Sequence, residues 1–179
     1  KLFADGLQIT FIVTIGALFL GIIIGLIIAI IRTSHDLSSK KPNFILRVFN
    51  TISNIYLTII RGTPMMVQLL IMGFVIMVPE TKFDTILCGI ITLGINSGAY
   101  VAEIARSGIM SIDKGQMEAG RSLGMSKMQT MAKIIFPQAI KNILPAIGNE
   151  MIALFKETSV AGYVAVVDLT RAGNLIRNN

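Results

Sequence analysis

Residues 6–31 carry no charged side chain, and the run is bounded by Asp5 on one side and Arg32 on the other. Roughly twenty apolar residues are enough for a helix to cross the hydrocarbon core of a bilayer, so this run predicts a first membrane span. It is too long for the apolar region of a signal peptide and no small-residue cleavage site accompanies it, so it is expected to stay in the mature chain. Gly16, Gly21 and Gly25 give the helix a smooth strip against which a neighbour can pack. Residues 44–60 are less apolar, with Arg47, Asn50, Ser53, Asn54 and Tyr56 interspersed, and this pattern predicts an amphipathic helix lying at the membrane interface. Arg61-Gly62-Thr63-Pro64 then reads as a break and restart, with Thr63 as the cap and Pro64 at the first helical position. A second, short span is expected over residues 65–78, followed by an exposed turn at Pro79, Glu80, Lys82 and Asp84. The uncharged residues 85–102 predict a third span. A fourth takes in residues 143–155, starts near Gln138, is bent by Pro145 and is interrupted by Asn149 and Glu150. Residues 160–169 form an apolar decade too short to cross, followed by Arg171 and Arg177.

Between the third and fourth apolar runs lies a polar stretch, residues 109–137. Asp113-x-x-Gln116 has the form of a capping box, and Gly124 is the glycine expected just past a helix end, so a short helix is predicted from about Lys114 to Leu123. Ser126-x-x-Gln129 offers a second capping box, and Pro137 interrupts or kinks the helix that follows. Ala119 and Gly120 lack side-chain bulk, so a partner's backbone could approach there between the charges of Glu118 and Arg121. On spacing alone, a docking surface and a solvated loop of two short helices lying on the membrane fit equally well.

With 53% hydrophobic and only 15% charged residues, the chain cannot present an ordinary solvated surface and belongs in a bilayer. The formal net charge of +6 therefore needs a topological explanation. Arg32, Lys40, Lys41, Arg47 and Arg61 fall in segment 32–62, and Arg106, Lys114, Arg121, Lys127, Lys133 and Lys141 in segment 103–142. Alternating spans put both segments on one side, and the bias of positive residues makes that side cytoplasmic, with the N-terminus outside. The chain has no Trp and no basic clusters interleaved with aromatics, which argues against a nucleic-acid partner. One Cys, Cys88, and one His, His35, exclude an internal disulfide framework and a multi-histidine metal centre.

Glu150 and Glu157 stand seven residues apart, on one face of a helix, and ionisable groups in an apolar helix point to a functional site. The plainer reading of Glu157 is a wet helix end paired with Lys156 or Lys141. Asn96, Ser97 and Tyr100 in the third span are secondary candidates for the same cavity, with interhelical hydrogen bonding as the alternative; Gly94 and Gly98 permit close helix approach there. Met117, Met125 and Met128 could make adaptable contacts near the polar stretch.

Glu118, Ala119, Gly124, Ile134 and Pro137 match the E-A-A-x3-G-x9-I-x-L-P loop of ATP-binding-cassette importer permeases, with Gly120 in place of the second Ala and Phe136 in place of Leu. Arg61-Gly62-Thr63-Pro64, Asn96 to Glu103, Lys114-Gly115-Gln116, Pro137-Gln138-Ala139, Gly148-Asn149-Glu150 and Leu154 to Ser159 surround it in order, and over nearly its whole length the chain resembles the polar amino-acid permease subfamily. The resemblance implies an all-α, polytopic transmembrane helical bundle with a cytoplasmic coupling helix in a bacterial cytoplasmic membrane. It implies one transmembrane domain over residues 1–179, with four spans here and a fifth expected in a complete chain. It further implies coupling through Glu118, Ala119, Gly120, Arg121 and Gly124, and cargo contacts at Glu150 and at Glu157, where an Asp is common. The implied partners are a dimer of ATP-binding subunits, a second permease subunit, an extracytoplasmic solute-binding protein, an amino-acid substrate and membrane lipid. The chain has no G-x-x-x-x-G-K-[ST] phosphate loop, so no cofactor is expected on it, and ATP with Mg belongs to the partner. An ion-coupled secondary transporter is the alternative, although no internal repeat of broken spans favours it. A membrane enzyme would need a nucleophile-base pair or a metal cluster.

Overall fold

A computed structural model describes residues 1–38 and 42–178; Lys40 and Lys41 of the first basic segment, and the terminal Asn179, lie outside the described residues. Helix α1 spans Leu2–Asp36, α2 Phe44–Gly62, α3 Met65–Ile71, α4 Lys82–Met110, α5 Lys114–Ser122, α6 Lys127–Thr130, α7 Phe136–Ala161 and α8 Leu169–Arg177. Among the described residues no strand occurs.

The centre of the bundle is the pair α1 and α4, which pack along most of their lengths. Small residues make this possible from both sides. A methyl group on Gly25 would sit 2.6 Å from the Val101 side chain and one on Gly21 2.8 Å from the Ser97 hydroxyl, while Gly94 and Gly98 receive Leu20 and Ile24 from the opposite helix. Thr10, Thr14 and Thr92 are buried, and each donates its hydroxyl to the carbonyl four residues back at 2.7–3.1 Å. Their polar groups are thus satisfied within their own helix. The start of α4 is fixed by Thr81 and Asp84, which form a reciprocal capping box.

By length and composition α1 and α4 can each cross a membrane. At 26 residues α7 is about 39 Å long and also reaches across, but it is too polar to meet the same standard. Lys141, Asn142, Asn149, Glu150, Lys156 and Glu157 account for that, so the fourth predicted span has the length of a span without its uniform apolarity. Pro145 lies inside α7 without ending it.

The expected interfacial helix and second span are corrected. α3 continues only through one π-helical turn, Met72–Ile76, so the pair covers about 18 Å and cannot cross the hydrocarbon core alone. Instead α2 and α3 form one broken unit, bent by 104°. The Tyr56 hydroxyl donates to the Ile95 carbonyl at 2.5 Å, and Leu57 packs against Ala99 and Ala102, so the end of α2 meets α4 near its middle. From there α3 follows the other half of α4, with Gly73 under Val164 and beside Cys88. Thr63 does not cap α3: its hydroxyl donates back to Ile59 O at 2.9 Å.

The short apolar decade after α7 is a turn. A 3₁₀ segment, Gly162–Val164, ends at Ala165 in the left-handed region with φ 66°, and Val164 and Val166 fold back into the core. Asp168 then caps α8 by accepting from Thr170 N and Arg171 N, and Leu169 N donates to Thr10 Oγ1, which fastens α8 across the start of α1.

Candidate functional site

Several polar constellations stand on this frame. The first is the tip built by α5 and α6. Asp113 caps α5, but through Gly115 N at 2.6 Å, and the expected box with Gln116 does not close, because the Gln116 carboxamide oxygen accepts from Gln138 on α7 instead. At the other end, Gly124 has φ 79°; its N–H donates to Arg121 O while Met125 N donates to Gly120 O, which is the Schellman arrangement. Arg121 also donates from its guanidinium to Met125 O at 2.9 Å, bracing the same turn. The Ser126–Gln129 box forms as expected. A π-helical turn, Met131–Ile135, precedes Pro137 in the first turn of α7.

The expected smooth patch at Ala119 and Gly120 is corrected in part. Ala119 is exposed, but Gly120 is buried, and a methyl group on it would lie 2.5 Å from Thr130. Gly120 is thus the crossing point of α5 and α6, not an approach for a partner. What the tip presents outward is Glu118, Ala119, Leu123 at 80% exposure and Met128 at 76%. Two large apolar side chains thus stand bare beside the Glu118 carboxylate. Lys127 donates to the Leu37 carbonyl, tying the tip to the end of α1. Met117 lines a cleft of about 420 Å³ with Ile109, Glu118 and Ile135.

The second constellation lies along α7. Glu150 and Glu157 are both half-buried on the face that also buries Leu154, Thr158 and Ala161. Glu150 sits beside Ser97, whose hydroxyl is fully buried against Gly21 and completes no ordinary hydrogen bond. Glu157 follows Glu150 by seven residues, two turns further along the same face of α7. Neither Lys156 nor Lys141 forms an ion pair with Glu157 among the described residues, so the paired helix end expected as the plainer reading does not occur.

Ser97 therefore joins the two carboxylates, and Asn96 and Tyr100 do not. They are one helical turn apart on another face of α4, toward α2 and α3. Asn96 donates to the Gln68 carboxamide oxygen at 3.1 Å, the interhelical hydrogen bond given above as its alternative, and Tyr100 lies under the Arg61 guanidinium.

Gln68 and Glu103 are residues the sequence reading assigned no role. Gln68 donates to Ile60 O, Thr63 O and Thr63 Oγ1 at 2.7–3.1 Å while accepting from Asn96, so one side chain holds the elbow between α2 and α3. Glu103 pairs with Arg32 at 2.5 Å and with Arg106 at 3.2 Å, and Arg106 reaches Asp36 at 2.8 Å, clamping α1 to α4 at the end nearer the tip. A lone Gln at the start of an apolar run was the available signal for Gln68; pairs 70 and 71 residues apart offered none.

Residues 21–179 match the family described as the inner membrane component of binding-protein-dependent transport systems. The chain belongs to this family. It is 39% identical over 173 residues to a putative glutamine transport system permease of Rickettsia typhi, covering 96% of this chain and 75% of that protein. To the glutamine transport system permease of Escherichia coli it is 34% identical over 177 residues, 98% and 76% of the two chains. A crystal structure of an amino acid ABC transporter with histidines superimposes with a TM-score of 0.85 at 40% identity, covering 99% of this chain and 78% of that one. The chain is thus a membrane permease component of a transporter and not an enzyme, and the family excludes the ion-coupled alternative. Its partners include an ATP-binding subunit and a substrate-binding protein.

Proposed function

We propose that this chain is the permease subunit of an importer that carries a polar or charged amino acid across a bacterial cytoplasmic membrane. The observation that carries the cargo class is likeness to amino-acid and glutamine permeases along nearly the entire chain. Glu150 and Glu157, with Ser97, supply acceptors for the positively charged part of the cargo, and a charged donor held by a carboxylate inside a membrane protein makes a strong contact. The α5–α6 tip lies in the cytoplasm. Leu123, Met128, Glu118 and Ala119 dock into a groove of the ATP-binding subunit, while Gly120, Arg121 and Gly124 fix the shape of the tip.

Two permease subunits pair, identical or related, and two ATP-binding subunits hold ATP and Mg, so this chain needs no cofactor of its own. Closure of those subunits moves the two tips as rigid bodies and switches the bundle between inward- and outward-facing states. A solute-binding protein delivers the amino acid from the far side, and the apolar outer face of α2, from Phe44 to Ile59, meets lipid or the second permease.

The experiment is a topology and docking test in a Cys88→Ser background. Glu80→Cys is expected to react with an impermeant thiol reagent from outside intact cells, and Met128→Cys only after lysis and after removal of the ATP-binding subunit. Met128→Cys reacting from outside, or reacting equally with and without that subunit, would contradict the orientation or the docking surface.

A further inference from the structure

Where the end of α1 meets the tip, a groove of about 510 Å³ runs between Ile30 and Leu37 on one side and Lys127 and Phe136 on the other. Its wall is mainly apolar, and its polar side chains are Thr33, Ser34 and Lys127. Lys127 gives one N–H to the Leu37 carbonyl, and among the described residues no carboxylate pairs with it. An ammonium has three donors, so two remain. Thr33 is buried, yet its hydroxyl has no hydrogen-bond partner, whereas Thr10, Thr14 and Thr92 each donate to the carbonyl four residues back. Among the described residues no carboxylate lines the groove: Asp36 is engaged by Arg106, and Asp113 and Glu118 line the neighbouring cleft.

The depth of the groove follows from the sequence. The uncharged run of α1 ends at Ile31, and Thr33, Ser34 and Leu37 lie within two turns beyond it, on the side that the excess of Lys and Arg marks as cytoplasmic. Ile23, Ile27, Ile30, Ser34 and Leu37 follow one another at intervals of four and three residues and so form one stripe along α1. Ile23, Ile27 and Ile30 are exposed, and Phe136 is exposed on the opposite wall. The stripe therefore runs from hydrocarbon depth into the groove and turns polar at Ser34, beside the unpartnered Thr33 hydroxyl and the Lys127 ammonium. Apolar track, hydroxyl donors and cation follow in the order of acyl chain and phosphate in a phospholipid. A zwitterionic headgroup brings an ammonium of its own, for which the groove offers no carboxylate, so the charge favours an anionic one.

We propose that this groove binds one anionic phospholipid of the cytoplasmic leaflet, its phosphate held by Lys127 with the hydroxyls of Thr33 and Ser34, and one acyl chain laid along Ile30, Ile27 and Ile23. Lys127 then joins the lipid phosphate to the Leu37 carbonyl, and the bound lipid braces the joint between α1 and the tip. The inference rests on the cytoplasmic placement of the tip and not on the identity of the cargo.

The test uses the detergent-purified complex of the permease with its ATP-binding subunit, titrated with phosphatidylglycerol or with phosphatidylcholine, and the lipid retained is counted by native mass spectrometry. Wild type is expected to retain phosphatidylglycerol in preference to phosphatidylcholine by roughly fivefold or more, the scale of one basic residue at an anionic surface. Lys127→Gln should remove the preference and Lys127→Arg keep it. Ser34→Phe, which fills the groove from α1 and leaves Lys127 in place, should abolish retention at this site. Lys133→Gln makes the same change of charge on an exposed lysine outside the groove and should leave the preference intact. Glycerol phosphate, which has no acyl chain, should not displace the lipid. Equal retention of the two lipids by wild type, a preference that survives both Lys127→Gln and Ser34→Phe, an equal loss in Lys133→Gln, or displacement by glycerol phosphate would each overturn the lipid site while leaving the transport reading in place.

Discussion

Replacing Gly124 by valine is expected to abolish transport while the transporter still assembles in the membrane. The residue sits at φ 79°, and a Cβ there would meet nothing within 4 Å, so the penalty is one of backbone conformation and not of space. A left-handed backbone costs an ordinary L-residue roughly 1–2 kcal/mol, and a β-branched one is disfavoured further. That cost falls on the turn where Gly124 N and Met125 N close the end of α5 and where Arg121 is anchored, so α5 and α6 lose their fixed crossing at Gly120 and Thr130. The proposed docking surface would then no longer move as one piece with α7. The order of substitutions follows from the same physics: Gly124→Asn should keep most transport, Gly124→Ala less, and Gly124→Val the least, since Asn tolerates the left-handed region best. Uptake and ATP hydrolysis measured together in proteoliposomes read this out. Hydrolysis persisting without uptake in Gly124→Val is the expected result, and wild-type coupling in that variant would show that the turn does not transmit the stroke.

Glu150→Gln should weaken cargo binding by roughly tenfold to hundredfold. The substitution keeps the shape and hydrogen-bonding reach of the side chain and removes one charge-assisted contact, worth about 1.5–3 kcal/mol. Glu157→Gln should do less if Glu157 lies nearer the cavity mouth, where water screens it, and Ser97→Ala less again, because a neutral hydroxyl contributes about 1 kcal/mol. Binding titrations on the detergent-purified complex, with size-exclusion profiles as the control for folding, provide the measurement. Affinity unchanged in both single carboxylate variants and in the double variant would mean that these groups serve the packing of α7 and not the cargo.

Much of the frame was legible in sequence because it rests on local rules. The uncharged runs of α1 and α4, the Ser126–Gln129 box and the left-handed Gly124 each depend on residues within a few positions of one another. Most of the misread features turn on partners beyond the local window. Gly62-Thr63-Pro64 announces a break, but its 104° bend is set by Gln68 and by Asn96, 28 residues further on. Asp113 and Gln116 have the spacing of a capping box, yet Gln138, 22 residues away, engages the Gln116 side chain. Gly120 looked like an opening for a partner because its smallness is visible in sequence and its burial under Thr130 is not. In the candidate cargo site, the seven-residue spacing placed Glu150 and Glu157 together, whereas Asn96, Ser97 and Tyr100 stand close in sequence but point to different neighbours.

The most direct test of the central claim is reconstitution of the permease with its ATP-binding subunit in proteoliposomes, with substrate-binding protein outside, ATP and Mg inside, and no ion gradient. Accumulation of a labelled polar amino acid above its external concentration, abolished when ATP is replaced by a non-hydrolysable analogue, is the result expected. Accumulation driven by an imposed ion gradient in the absence of ATP, or none with ATP present, would contradict the account.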